Sequence, residues 1–306
     1  MASPPAFAQS ELWKYFVAVQ LWPRRARLDP LGWMQNFTSD ELPLALRLLE
    51  GFTYFSSELV AHMFRSAFLN VSQIVVKSRT NYFSATTEWS RFVKSLLIVR
   101  VTGEQPSDAD SGFIFARLAR DKLGIPESQI VPPQEALERL IALPTGNVMF
   151  VDDFVGSGEQ FVSTWERIHA LGAARASFKS VAAAAGGSVA FFYVPVLCTE
   201  QGRDHISRHS PEVTIVPAHF VGNQHSAISP DSVIWRNDMS ATGPRFVESA
   251  SVRAGIPDLD GAEGCWRGYR KLGLAIAFEH SWPDATLPIF YWNQNNWHPL
   301  LQKAAP

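Results

Sequence analysis

Apolar runs alternate with amphipathic segments along most of this chain. The apolar runs that predict strands are residues 96–101, 148–151, 189–197, 213–220 and 274–278. Helical spacing of apolar side chains separates several of them, with predicted helices over residues 111–123 and 159–170. Strands that alternate with helices predict an α/β fold with a doubly wound, mostly parallel sheet.

The amino-terminal part has a different pattern, because apolar residues recur at helical spacing from residue 11 to about residue 68. A helix start is predicted at Ser39 or Asp40. The two apolar faces consist of Leu12, Phe16 and Val19, and of Leu42, Leu46, Leu49 and Phe52. The pattern predicts an amino-terminal helical subdomain over residues 1–75, followed by an α/β domain over residues 76–306. The aromatic side chains of the helical part are assigned to packing rather than to a partner groove.

Composition narrows the class of protein. The 306 residues are 46% hydrophobic and 12% aromatic, which suits a folded chain with a large core. A formal net charge of −2 gives no basic footprint, so contact with nucleic acid or a membrane is not predicted. The first ten residues lack a signal-peptide pattern, and no apolar run reaches about 18 residues. We therefore expect a cytoplasmic protein.

Cysteine and histidine give little support for a metal site. The two cysteines, Cys198 and Cys265, have no histidine or cysteine at ligand spacing beside them. His205 and His209 stand at i, i+4 spacing, but Pro211 follows closely and suggests that little helix forms there. No third ligand is placed by the pattern, so no metal site made of protein side chains is predicted.

The most informative run is residues 148–160, which combines a buried strand, an acidic pair, a glycine loop and a helix start. Gly156 and Gly158 permit a tight turn whose N–H groups can approach a phosphate, and the next helix points its positive end there. Asp152 and Asp153 can accept hydrogen bonds from vicinal hydroxyls, and Ser157 can donate one. Phosphate beside a diol indicates a ribose 5-phosphate. The alternative is a plain strand-to-helix connection with capping carboxylates and no ligand.

This run resembles the phosphoribosyl-diphosphate motif of type I phosphoribosyltransferases. The resemblance implies that Asp152 and Asp153 hold the ribose hydroxyls at the catalytic centre. Both carboxylates are predicted to lie in a solvent-facing cleft. It also implies a 5-phosphate loop made of Val155, Gly156, Ser157, Gly158, Glu159 and Gln160. The loop usually closes with threonine in that family, whereas this chain has Gln160.

A second strand, loop and helix start occurs at residues 96–123. In type I phosphoribosyltransferases the corresponding loop holds the pyrophosphate, so the resemblance implies contacts from Ser107, Ser111 and Gly112. Asp108 and Asp110 would repel pyrophosphate unless Mg²⁺ bridges them. Mg²⁺ carried by a diphosphate ligand is therefore the implied cofactor. The alternative role for Asp110 or Ser111 is capping of the helix.

Residues 287–300 bring several aromatic and amide side chains together. They predict either an aromatic wall for a purine or pyrimidine base, or a final edge strand that covers the sheet. From about residue 37 onward the chain resembles the phosphoribosyltransferase-like proteins of prokaryotic conflict and antiphage loci, some of them beside retron reverse transcriptases. That resemblance implies a defence effector with a protein partner such as a reverse transcriptase.

Two functions from different classes follow. The first is an enzyme that binds phosphoribosyl diphosphate or a nucleotide and acts at ribose C1, as a phosphoribosyltransferase or a nucleotide N-glycosidase. Such chemistry needs positioning and charge stabilisation more than a nucleophile, and the sequence has no obvious Ser-His-Asp or Cys-His set. The second is a catalytically inactive sensor or assembly subunit of a defence complex, which Gln160 and the acidic first loop favour.

Overall fold

The computed structural model describes residues 5–23, 27–77, 81–102, 112–172 and 174–302, and side chains from residue 11 onward. Contacts group the chain into two compact units. We call Val60–Phe220 the sheet unit, and Met1–Leu59 together with Val221–Pro306 the two-segment unit. The domain division between residues 75 and 76 stays a prediction, and the contact-defined units are drawn differently.

The α-helices of the described residues follow one another along the chain. They are α1 (Pro5–Ala18), α2 (Pro30–Met34), α3 (Leu42–Glu50), α4 (Ser57–Val75), α5 (Tyr82–Lys94), α6 (Gly112–Leu123), α7 (Pro133–Ala142), α8 (Glu159–Glu166), α9 (Phe178–Ala185), α10 (Glu200–His209) and α11 (Thr242–Ala254). Short 3-10 helices occupy Glu127–Gln129, Asn223–His225, Tyr269–Lys271 and Pro288–Phe290.

Within the described residues, the strands are distributed over three sheets. They are β1 (Thr53–Phe55), β2 (Leu96–Arg100), β3 (Ile130–Val131), β4 (Gly146–Val155), β5 (His169–Leu171), β6 (Ala174–Ala176), β7 (Val189–Thr199), β8 (Val213–Ile215), β9 (His219–Val221) and β10 (Ile276–Phe278). The main sheet has the order β3-β2-β4-β7-β8, and β9 also pairs with β7. Its four pairs in that order are parallel. The predicted α/β class with a mostly parallel sheet is confirmed.

The sheet unit is held together by apolar side chains on β4 and β7. Phe150 lies opposite Val99 of β2 and Tyr193 of β7, and all three are almost fully buried. Rings from the following helices, Phe161 and Phe178, meet Phe150 edge to face. Burial of each such side chain contributes roughly 1.5–3 kcal/mol, so the aromatic layer fixes the helices on the sheet.

Three predicted elements of the strand and helix alternation are corrected. The helix predicted over residues 159–170 ends at Glu166, because Arg167 leaves the helical region with ψ of 124° and β5 follows. The strand predicted over residues 213–220 is divided into β8 and β9, since Pro217 between them has no N–H to donate.

The third correction concerns the strand predicted over residues 274–278. β10 does not join the main sheet but pairs in parallel with β1, Thr53 lying opposite Ile276. Alternation along the chain predicts that a strand exists, whereas its partner depends on which strand edges remain open.

The amino-terminal helices form as predicted, with changes in faces and boundaries. Trp13 is buried, whereas Leu12 and Val19 are 40% and 44% exposed, so the predicted face of α1 is wrong for those two residues. α3 begins at Leu42 with Glu41 at the cap position rather than Ser39 or Asp40. Pro43 in the first turn suits that later start, because its missing N–H would be unpaired there anyway.

The two-segment unit has an aromatic core. Trp33 is fully buried, stacks on Phe290, and donates its indole N–H to the carbonyl oxygen of Ile289 at 2.9 Å. Trp297 donates to the same oxygen at 3.0 Å and meets Phe37 edge to face. These contacts join α2 to the carboxyl-terminal segment, and they confirm that Trp33 has a packing role. Trp13 and Trp22 are buried in the same core.

Candidate functional site

The candidate site lies where the strand order of the main sheet reverses. From β2 the chain moves to β3 on one side and then returns to β4 on the other side of β2. Adjacent parallel strands whose connections leave in opposite directions create a crevice beyond their carboxyl ends. β2 ends at Arg100 and β4 ends at Val155, so both predicted loops start at this crevice.

The acidic pair lies at the end of β4 and is buried. Asp152 is 2% exposed and Asp153 is 8% exposed, so the prediction of solvent-facing carboxylates is wrong. Asp152 Oδ2 accepts a hydrogen bond from the Tyr193 hydroxyl at 3.1 Å, and its Oδ1 accepts one from the Asp153 N–H at 3.0 Å. Tyr193 on the neighbouring strand therefore helps to hold Asp152, a role that the sequence did not reveal.

Burial sets the charge state of the pair. Loss of hydration, followed by the adjacent negative charge of Asp153, raises the pKa of Asp152 well above its usual range. Burial and then the charge of Asp152 raise the pKa of Tyr193, which stays a hydroxyl donor. The site therefore combines a carboxyl group that keeps its proton more readily than usual with a neighbouring carboxyl group. Such a pair can accept or donate hydrogen bonds to a diol.

The glycine loop is shaped by its contact with α10. Gly158 has φ of +82°, and a Cβ on it would lie 2.8 Å from the carbonyl oxygen of Gly202. A Cβ on Gly202 would lie 2.5 Å from the carbonyl oxygen of Gly156. Thr199 caps α10, accepting from the Gly202 N–H at 2.9 Å and donating to the Gly156 carbonyl. Sequence reasoning missed Thr199 and Gly202, although Thr199 before a polar segment is a helix-start signal.

Ser157 and Glu159 form hydrogen bonds with each other inside the loop. The Ser157 hydroxyl donates to Glu159 Oε2 at 3.1 Å and accepts from the Glu159 N–H at 3.3 Å. Glu159 is in the first turn of α8, where a negative charge is favourable. An incoming phosphate would compete with this carboxylate for the Ser157 hydroxyl, because both are hydrogen-bond acceptors. Val155, also predicted in the loop, is 3% exposed and packs in the core of the sheet unit.

Gln160 is the last predicted loop residue and is the second residue of α8. Its carbonyl oxygen lies 3.0 Å from the Thr164 hydroxyl oxygen, whose single hydrogen is shared with the Thr102 carbonyl. The predicted loop thus runs from the end of β4 into the first turn of α8. This run brings Ser157, Gly158, Glu159 and Gln160 together at one end of the sheet.

The first loop is described only at its two ends. Ser107, Ser111, Asp108 and Asp110 lie outside the described residues. Gly112 begins α6, and a Cβ on it would lie 2.9 Å from the carbonyl oxygen of Val101, so glycine permits a close approach to β2.

The start of the first loop is held against α8 by hydrogen bonds. The Thr164 hydroxyl accepts from the Thr102 N–H at 3.1 Å and donates to the Thr102 carbonyl at 2.9 Å. Arg167 donates to the Thr102 hydroxyl at 2.8 Å. The helix that follows the acidic pair therefore positions both loops, and neither Thr164 nor Arg167 was predicted to matter.

The histidine pair lies on a helix, contrary to the sequence prediction. α10 extends to His209, and the rings of His205 and His209 are 4.3 Å apart. Within the part of the chain that the structure describes, no group of three or more histidine, cysteine, aspartate or glutamate side chains is arranged for a metal ion. Mg²⁺ carried by a diphosphate ligand stays a prediction.

The carboxyl-terminal aromatic segment is not an edge strand. Pro288–Phe290 forms a 3-10 helix, and Ile289 and Phe290 are fully buried in the two-segment unit. Proline at the start of that turn has no N–H for strand pairing, which explains the correction. Tyr291 and Trp292 are half-buried.

A parallel sheet with an acidic pair and a glycine loop at its switch point defines a protein of the phosphoribosyltransferase type. The sequence model of the PRTase-CE family matches residues 30–303, and the chain belongs to that family. No curated protein matches the chain. Among the described residues, no helix is long and apolar enough to cross a bilayer.

Proposed function

We propose that this protein binds a 5-phosphoribosyl ligand, either phosphoribosyl diphosphate or a nucleotide, and acts at ribose C1. The observation that carries the proposal is the buried acidic pair beside the Gly156–Ser157–Gly158 turn at the switch point of the sheet. Family membership supports the same ligand class. Asp152 and Asp153 hold the ribose hydroxyls, and the turn with the start of α8 holds the 5-phosphate.

Bond making or breaking at C1 develops positive charge on the ribose. A carboxylate close to the ring stabilises that charge, and fixed hydrogen bonds to the hydroxyls orient the ring for attack. The Tyr193 hydrogen bond supports this role, since it limits the rotation of Asp152. Bound Mg²⁺ would supply charge neutralisation of a diphosphate leaving group. Ser107 and Ser111 are proposed contacts for that diphosphate.

The second candidate is a catalytically inactive sensor. It is favoured by the mutual hydrogen bonds of Ser157 and Glu159, because ligand binding would exchange them for phosphate contacts and so change the loop. A loop with two alternative sets of partners suits a switch between free and bound states. In either candidate we propose a cytoplasmic antiphage role in which a partner protein, such as a retron reverse transcriptase, assembles with this chain.

The test is calorimetric titration of the whole chain with phosphoribosyl diphosphate, with and without Mg²⁺. We expect binding that requires Mg²⁺ and that falls at least 100-fold in the Asp152→Asn/Asp153→Asn variant, since the hydrogen bonds of both carboxyl groups to the ribose hydroxyls are weakened. Asp121→Asn is the matched control, because its carboxylate is exposed on α6 and pairs with Arg120. A double variant that binds as tightly as the parent would overturn the proposal.

Turnover separates the two candidates. Release of pyrophosphate from phosphoribosyl diphosphate with a base, or of a base from a nucleotide, identifies the enzyme. Binding without either product identifies the sensor. Ser157→Ala is informative in both cases, because the hydroxyl contacts the loop rather than C1, and it should weaken binding by about tenfold without abolishing turnover.

A further inference from the structure

A second cleft lies entirely within the two-segment unit. Its volume is about 860 Å³, within the usual range for small-molecule sites. Each residue that lines it comes from Met1–Leu59 or Val221–Pro306. Asp152 and Asp153 belong to the sheet unit and contribute no side chain to this lining. The cleft is therefore complete without the acidic pair.

The cleft contains a buried hydroxyl with an unmet hydrogen-bonding capacity. Tyr54 on β1 is 5% exposed and lines the cleft, and its hydroxyl makes no hydrogen bond of regular geometry among the described residues. The Arg27 guanidinium lies close enough to donate toward the Tyr54 oxygen, so the unmet capacity is that of the hydroxyl as a donor. Burial and then the negative charge of Glu279 raise the pKa of Tyr54 to about 12, while the Arg27 guanidinium acts in the opposite direction. A buried unpaired hydrogen-bond donor costs roughly 1–3 kcal/mol, a cost that a ligand bonding to it would remove.

An aromatic platform forms one wall. The rings of Trp282 and Tyr291 stack with centroids 5.2 Å apart and planes inclined by 17°. Both side chains are half-buried and line the cleft. Trp292, also in the lining, is fixed by its indole N–H, which donates to the Ala254 carbonyl at 2.8 Å. Such a wall suits a flat ring, because stacking on an aromatic side chain is worth about 1–3 kcal/mol for a base.

The polar lining indicates which kind of ring is accepted. Asn293, Gln294 and Gln302 present amides, which both donate and accept hydrogen bonds, as do the edges of nucleobases. Arg27 and Glu279 carry opposite charges, which offset each other in the lining. Arg27 donates to the Glu279 carbonyl at 2.8 Å, and the Glu279 carboxylate accepts from the Ser57 N–H at 2.6 Å. A neutral heterocycle with a hydrogen-bonding edge matches this lining better than an ion or a hydrocarbon.

We propose that this cleft is a binding site for a nucleobase, carried by a nucleoside or nucleotide, that stacks on the Trp282–Tyr291 platform and hydrogen-bonds to Tyr54. The site is an effector site, because it is built without the residues assigned to the phosphoribosyl ligand. It gives the protein a means of responding to a nucleoside independently of chemistry at Asp152.

The experiment is calorimetric titration of the whole chain with adenosine, guanosine, cytidine and uridine in turn. At least one nucleoside should bind. The Asp152→Asn/Asp153→Asn variant should bind it with unchanged affinity, which separates this site from ribose binding at the acidic pair. Trp282→Ala should weaken binding tenfold or more through lost stacking.

Tyr54→Phe is the decisive variant, because it separates ligand binding from folding. It should weaken nucleoside binding about tenfold while the melting temperature stays equal or rises, since a buried unpaired hydrogen-bond donor has been removed. Tyr82→Phe, at a ring that is 79% exposed on α5, is the control and should change neither quantity.

Four outcomes would overturn the proposal: no binding of any of the four nucleosides, loss of binding in the double aspartate variant, full affinity in Tyr54→Phe, or a lower melting temperature in Tyr54→Phe. Titration of Tyr54→Phe with phosphoribosyl diphosphate keeps the two proposals apart. Failure at the cleft leaves that binding unchanged, whereas failure of the phosphoribosyl proposal is seen in the parent chain.

Discussion

The two candidate sites of this protein are built in opposite ways. In the sheet unit, the acidic pair, the glycine turn and the helix start form one continuous run along the chain. In the two-segment unit, the aromatic cleft combines Arg27 and Tyr54 with residues beyond 277. A parallel sheet brings strand ends to one edge, so a local run becomes a site. The pairing of β1 with β10 places Tyr54 opposite Ala277, next to Phe278 and Glu279 of the cleft lining.

The cores differ in a related way. Tryptophan N–H groups in the two-segment unit bind backbone carbonyls, as Trp33 and Trp297 bind Ile289. In the sheet unit, the indole nitrogen of Trp165 is buried without a hydrogen-bond partner among the described residues. The buried tryptophans of the two cores thus differ in whether the indole N–H is hydrogen-bonded. Four predictions test the comparison of the two units, from the largest expected effect to the smallest.

Gly158→Ala should have the largest effect on stability. The substitution places a side chain at positive φ and against the Gly202 carbonyl, so we expect a loss of about 2–4 kcal/mol in the free energy of unfolding. Gly124→Ala is the control, because its φ is +70° and nothing lies within 4 Å of the added Cβ. Urea denaturation measures both. Equal losses in the two variants would show that the contact between the glycine loop and α10 contributes nothing.

Trp33→Phe and Trp165→Phe compare the cores directly. Both tryptophans are fully buried, but only Trp33 loses a hydrogen bond, so Trp33→Phe should cost about 2 kcal/mol. Trp165→Phe should cost about 1 kcal/mol less, because removal of an unpaired N–H offsets lost packing. Chemical denaturation followed by circular dichroism measures the difference. A larger loss from Trp165→Phe would contradict the comparison.

Thr164→Val tests the link between the two loops of the sheet unit. It leaves the Thr102 N–H without this hydroxyl partner, so we expect a loss of about 1–2 kcal/mol. The proposed phosphoribosyl site should also bind more weakly. Thr164→Ser retains the hydroxyl and is the control in both measurements. Identical stability and binding in the valine and serine variants would show that the Thr164 hydroxyl does not help to position the site.

Asp152→Asn should raise stability at neutral pH while it weakens ligand binding. The folded-state pKa of Asp152 is raised by burial and by Asp153. Its protonated form therefore stabilises the fold fully below the unfolded pKa of about 3.9, and that stabilisation is lost as pH rises through the folded pKa. The asparagine variant cannot ionise and should lose less stability between pH 4 and pH 8. Denaturation at several pH values tests this, and parallel curves for parent and variant would contradict it.

The acidic pair and the glycine loop could be predicted together because their residues are close in sequence. The side chains that position the pair and the loop could not be predicted, because Tyr193, Thr199 and Thr164 lie elsewhere in the chain. Burial of Asp152 was also missed, since an acidic residue at a strand end is ordinarily expected to face solvent. A pattern of residue types carries no information on how deeply a strand end lies in the sheet.

The amino-terminal helices make the same point. Helical spacing predicted α1, α3 and α4, but the buried face of α1 is set by what it packs against. Trp13 is buried while Leu12 is exposed, although both are apolar. Periodicity finds a helix because backbone geometry is local, and it cannot choose between two apolar sides.

The sequence by itself determined the α/β class, the parallel strands, and the run that carries the proposed phosphoribosyl site. Each depends on local spacing and local backbone freedom, which neighbouring residues control. Tertiary structure alone decided the pairing of β1 with β10, the raised pKa of Asp152, and the cleft that contains the buried Tyr54 hydroxyl. These properties depend on distances and water exclusion between residues far apart in the chain, and only the folded packing fixes them.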